Sequence, residues 1–73
     1  MLAIGTQMDL TDEEKRQIAY LIDGELTEAT REFDYDHPDI KFWIHILRKL
    51  GPAAEPTVNN WCQIAREEAG IEL

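Results

Sequence analysis

The chain has 73 residues, and its 15 Asp and Glu against 7 Lys and Arg give a formal charge of −8. That length holds one domain, 1–73, with a thin core. The charge repels phosphate backbones and favours basic partners, so direct nucleic-acid binding is not the expected activity.

A single cysteine, Cys62, excludes an internal disulfide and suits a reducing compartment. His37, His45 and Cys62 fall in no recurring ligand spacing, so neither a metal nor another cofactor is expected. No apolar run is long enough to span a bilayer. Residues 1–7 lack the basic patch and apolar stretch of a secretory signal, and the expected location is the cytoplasm.

Leu2 and Ile4 suit an arm folded over the rest of the chain or a short extended segment. The first helix is then announced by Thr11, an N-cap, with Glu14 three positions later to complete a capping box. Asp12 and Glu13 complement the helix dipole in the first turn. Ile18, Ile22, Leu26, Ala29 and Phe33 recur at helical spacing, with Leu21 widening the stripe, and the periodicity predicts a helix over about 11–33.

Asp34-Tyr35-Asp36-His37-Pro38 interrupts the pattern. Pro38 suits the first position of a second helix, capped by His37 or Asp36 and running over about 38–50. Its stripe is Ile40, Trp43, Ile44, Leu47 and Leu50, and Gly51 and Pro52 stop it. The short connection makes the first two helices an antiparallel hairpin. Residues 51–56 carry two prolines and read as a stiff, non-helical connector. A third helix over about 56–69 buries Val58, Trp61, Cys62, Ala65 and Ala69 before Gly70. No segment alternates as a strand does. The expected fold is all-α, a helical hairpin plus a third helix forming a small three-helix bundle.

Two features of this pattern point to binding. The second helix is apolar over too wide an arc for one neighbour, since Phe42 and Ile46 extend its stripe and only Lys41, His45, Arg48 and Lys49 form a polar edge. Either the third helix covers the extra surface, or Phe42, Trp43 and Ile46 form a protein-binding patch. The other feature is an acidic cluster that also contains Asp23 and Asp39. Within it Glu25, Glu28 and Glu32 line one helix edge, followed by Asp34 and Asp36. It suits a basic groove on a partner, or is an ordinary solvated face. Glu25 lies close to the apolar stripe, where a carboxylate either snorkels outward or finds a cation or hydrogen-bond donor, for which Lys41, His45 or Arg48 of the neighbouring helix could serve.

A third feature is a helix-turn-helix outline around Gly51, with Thr57, Asn59, Asn60 and Arg66 as candidate nucleic-acid contacts. That helix has no basic footprint, and acidic residues flank it. Catalysis has less support. Cys62 sits on an apolar stripe, where a structural cysteine is usual, and no phosphate-binding loop or paired-histidine metal motif occurs.

The reading is therefore a small acidic protein-binding module, not an enzyme, that acts by occupancy as an inhibitor or antagonist of a host protein does. In style it is similar to the small proteins of phages and mobile elements. The alternatives are a helix-turn-helix DNA-binding regulator and a homodimeric structural or adaptor protein burying Phe42, Trp43 and Ile46.

Overall fold

A computed structural model describes residues 9–73. The predicted arm around Leu2 and Ile4 lies outside them. Three α-helices follow in order: α1 (Asp12–Ala29), α2 (Pro38–Lys49) and α3 (Glu55–Ala69). They form an all-α three-helix bundle, and no strand occurs among the described residues.

The capping box that opens α1 is present in both directions. Thr11 Oγ1 accepts from the Glu14 amide at 3.1 Å, and Glu14 Oε1 accepts from the Thr11 amide at 2.8 Å. The far end departs from the periodicity. α1 stops at Ala29 rather than near Phe33. Thr30 Oγ1 donates to the Leu26 carbonyl at 2.8 Å, and the amides of Arg31 and Glu32 turn to carbonyls three positions back. The last turn has no cation, while Glu28, Glu32 and Asp34 crowd the negative end of the dipole. Phe33 therefore leaves the stripe and stacks on His37, with ring centroids 4.1 Å apart.

His37, not Asp36, caps α2, its Nδ1 accepting from the Asp39 amide at 3.1 Å. Arg48 and Lys49 complement the dipole in the last turn. Gly51 then takes a left-handed φ of 79°. The connector expected to be non-helical is a 3₁₀ turn, Gly51–Ala54, that leads directly into α3. Pro52 and Pro56 each fall in the first turn of their helical piece, where the missing amide costs nothing. The turn is part of the core, since Ala54 is fully buried.

α3 ends on Gly70 in a Schellman arrangement. The Gly70 amide donates to the Arg66 carbonyl and the Ile71 amide to the Ala65 carbonyl. The last residues pack: Arg48 Nη2 donates to the Leu73 main-chain oxygen at 2.7 Å, and Leu73 lies against the core.

The core is Ala19, Ile22 and Leu26 of α1, Ile40, Ile44 and Leu47 of α2, Ala54 of the turn, and Val58, Trp61 and Ala65 of α3. Leu21, expected to widen the α1 stripe, instead points to solvent with 67% of its surface exposed. Ala19 takes the inward position. A small side chain there lets the chain around Ala53 and Pro56 come close to α1.

Candidate functional site

The hairpin of α1 and α2 has two sides, and α3 covers one of them. Two contacts fix which. Trp61 Nε1 of α3 donates to Asp23 Oδ1 of α1 at 2.7 Å, and Arg48 Nη2 of α2 reaches Cys62 Sγ of α3 at 3.6 Å. Helical spacing then assigns the opposite side. On α1 it carries Ile18, Leu21, Glu25 and Glu28, related by steps of three and four. On α2 it carries Trp43, Ile46 and Leu50, with Phe42 one turn from Ile46.

Burial follows that division. Ile18, Trp43, Ile46 and Leu50 are half-buried and pack on the core from this side. Leu21 and Phe42 stand out from it, with Phe42 54% exposed and its ring edge-on to Trp43 at 5.4 Å. The wide apolar arc of α2 is therefore not closed by α3. The third helix takes the Arg48 side, and no element among the described residues covers the Phe42 side.

The antiparallel register locates the charges around this face. Lys15 near the start of α1 shares a cleft with Lys49 and Leu50 at the end of α2. Equal steps onward along α1 and back along α2 bring Glu25 level with Asp39. Glu14, Glu25 and Glu28 border the apolar strip along α1, and Asp39 borders it at the α2 end. Phe42, Trp43 and Ile46 thus share one surface with Glu25 and Glu28. Glu32, Asp34 and Asp36, all exposed, continue the acidic edge into the hairpin loop.

Of the two alternatives for Glu25, the outward one is found. Glu25 is exposed and makes no ion pair with Lys41, His45 or Arg48 among the described residues. It lies on the open side of the hairpin, whereas Arg48 is turned to α3. Glu28 has only Arg31, at 3.4 Å. Asp23 leaves the acidic cluster, because its carboxylate faces inward to the buried indole of Trp61. That bond had one legible signal, a tryptophan on a buried stripe whose N–H needs an acceptor, but the sequence does not say which acceptor.

The remaining candidates fall elsewhere. Asn59 and Asn60 are exposed and Thr57 is half-buried at the start of α3. Arg66 is held by Glu72, its Nε 3.1 Å from Oε2, which raises the Arg66 pKa and lowers that of Glu72. Cys62 is half-buried beside the Arg48 guanidinium. Tyr35 is half-buried and donates to Glu68 at 3.1 Å; its burial, and then that hydrogen bond, raise its pKa. A shallow groove of about 400 Å³ lies between α1 and the start of α3, with the exposed Tyr20 on its rim. No group of three or more metal-ligating side chains gathers among the described residues. No helix among them is long and apolar enough to cross a membrane.

The chain matches no known protein family, no curated protein and no solved structure.

Proposed function

We propose that the protein is a binding module that acts by occupying a surface of another protein, through the side of the α1–α2 hairpin that α3 leaves bare. The observation that carries this reading is Phe42, a large aromatic side chain more than half exposed beside the half-buried Trp43 and Ile46. Burying a phenyl ring fully is worth roughly 1.5–3 kcal/mol, and with Phe42 54% exposed about half of that gain is left unused by the fold. Aromatic anchors over a half-buried apolar floor are the usual centre of a protein contact, and charged residues its rim. The same face has Glu25 and Glu28 on one edge, which gives orientation and a faster encounter with a basic target.

Occupancy, as in an inhibitor or antagonist, fits a chain in which the polar groups that bond across elements serve structure. Thr11, Glu14 and His37 cap helices, Arg48 and Arg66 tie the tail, Asp23 anchors Trp61 and Tyr35 bonds Glu68. The test is site-specific photo-crosslinking in the cells that make the protein. A crosslinking amino acid placed at Phe42 is expected to give a discrete adduct with another protein, while the same group at Asn59, on α3, gives none. Absence of any heterologous adduct at position 42 and at position 46 would remove this reading.

A further inference from the structure

The geometry points to one kind of occupant for the bare hairpin face: an amphipathic α-helix of the partner, apolar along one stripe and cationic on its flanks, which lies between α1 and α2 as a fourth helix. This inference rests on the protein-binding reading and deepens it. The floor is the α2 row Leu50, Ile46 and Trp43 with Ile18 of α1 beside it, about two turns of the seam of two antiparallel helices, and Leu21 and Phe42 stand exposed at its borders. A seam between helices is filled by the ridge of a third, at interaxial distances of about 8–10 Å. Residues spaced three, four and seven apart on the incoming helix meet such a floor. Strand addition has no counterpart, because the described residues offer no sheet edge.

The charges select the flank. Glu14, Glu25 and Glu28 line the α1 wall and Asp39 the start of α2, while Lys49 is the cation at the opposite end of α2. A second copy of this chain fits poorly for that reason. A two-fold pairing that sets α1 over the other copy's α2 brings Glu25 against Asp39. A pairing of α1 over α1 lays the Glu14 end on the Glu28 end. Each pairing also sets Lys49 against one carboxylate, Glu14 in the first and Asp39 in the second, but four carboxylates against one lysine per copy leave an excess of like charge around the apolar strip, which Lys and Arg on the incoming helix neutralise.

The test uses two synthetic helical peptides of about five turns, roughly 18 residues. They share one leucine stripe, and their flanks are Lys in one and Glu in the other. Binding to the full chain is read by fluorescence anisotropy. The Lys-flanked peptide is expected to bind at least ~10-fold more tightly than the Glu-flanked one, a difference of about 1.4 kcal/mol. Leu21→Ser and Phe42→Ser, both exposed and so tolerated by the fold, are each expected to weaken it several-fold. Glu25→Gln with Glu28→Gln should weaken it and flatten its salt dependence. Tyr20→Ser, on the other side of α1, should leave it unchanged.

Equal affinity for the two peptides overturns the cationic flank. Indifference to Leu21→Ser and Phe42→Ser overturns the face. Sedimentation showing a dimer that Phe42→Ser dissociates assigns the face to a second copy, and binding that appears only after removal of residues 1–8 assigns it to the chain's own start; either result overturns the proposal. A crosslinked protein at position 42 together with failure of the Lys-flanked peptide would discard the cationic helix and leave the binding function standing.

Discussion

Trp61 and Asp23 stand 38 positions apart in sequence and meet through a 2.7 Å hydrogen bond from the indole N–H to the carboxylate. The bond joins α3 to α1 at the edge of the core, where the Trp61 ring is buried and Asp23 half-buried. It satisfies an indole N–H that the core would otherwise leave unpaired, and it marks the side of the hairpin on which α3 buries Val58, Trp61 and Ala65. The open face lies on the other side of the hairpin.

Asp23→Ala is therefore expected to cost about 1–3 kcal/mol, the range for leaving a buried donor without its partner. Asp23→Asn keeps a carbonyl acceptor and should cost less. Urea unfolding of the two variants measures the difference. Equal stability of Asp23→Ala and the parent would show that water replaces the carboxylate.

The two exposed apolar residues of the open face should behave unlike the core beneath them. Leu47→Ala removes a fully buried side chain and should cost about 2–5 kcal/mol, enough to unfold much of so small a domain. Phe42→Ala should shift stability by under about 1 kcal/mol, since most of the ring already faces water. Thermal melts followed by circular dichroism separate the two, and a Phe42→Ala loss as large as that of Leu47→Ala would mean that the ring is a core residue.

Two glycines make opposite predictions. Gly24 is helical and exposed, with nothing within 4 Å of an added Cβ, so Gly24→Ala should stabilise by roughly 0.5–1 kcal/mol. Gly51 has similar space but a φ of 79°, so Gly51→Ala should destabilise by about 1 kcal/mol or more. Both are read from denaturant midpoints. The same sign of change at both positions would contradict the backbone geometry at Gly51.

Thr11→Ala removes the acceptor for the Glu14 amide and should cost about 1 kcal/mol. Faster amide hydrogen exchange in the first turn of α1, with α3 unchanged, would place the loss where the cap lies.

The acid limb of stability should be shallow and salt-dependent. Hydrogen bonds from Arg16 and Gln17 hold the Glu13 carboxyl below its ordinary 4.5, and Arg66 does the same for Glu72. A carboxyl lowered in the folded state adds stability above its unfolded pKa, and this is lost as pH falls through the lowered value. Both groups lie fully in water, so added salt should erase most of the effect. Carboxyl titration by NMR should place both midpoints under 4.5, and midpoints at or above that value would remove the two pairings.

Local sequence was enough for the three helices and most of their ends. Thr11 with Glu14, Pro38 after His37, and Gly70 are signals contained within one turn of chain, and the periods of Ile22, Leu26, Ile40, Ile44 and Leu47 name inward faces without reference to any neighbour. The end of α1 was legible in part. An acidic run at the negative end of a dipole, with two threonines able to bond back to the helix, argues against continuing to Phe33, but the apolar period masks it. The 3₁₀ turn was hidden because proline reads as a breaker except in a first turn, and both prolines occupy first turns.

Which apolar residues stay in water was decided by tertiary structure. The helical period turns Ile22 and Ile40 inward, but it does not say whether a neighbour covers the apolar Leu21 and Phe42 beside them. That is decided by α3. A helix can cover one side of a hairpin, and the side is set by contacts between residues far apart in sequence, such as Val58, Trp61 and Ala65 packing on the core and Trp61 bonding Asp23. For the same reason the acidic edge and the aromatic patch, distinct in the sequence, border a single face in the fold.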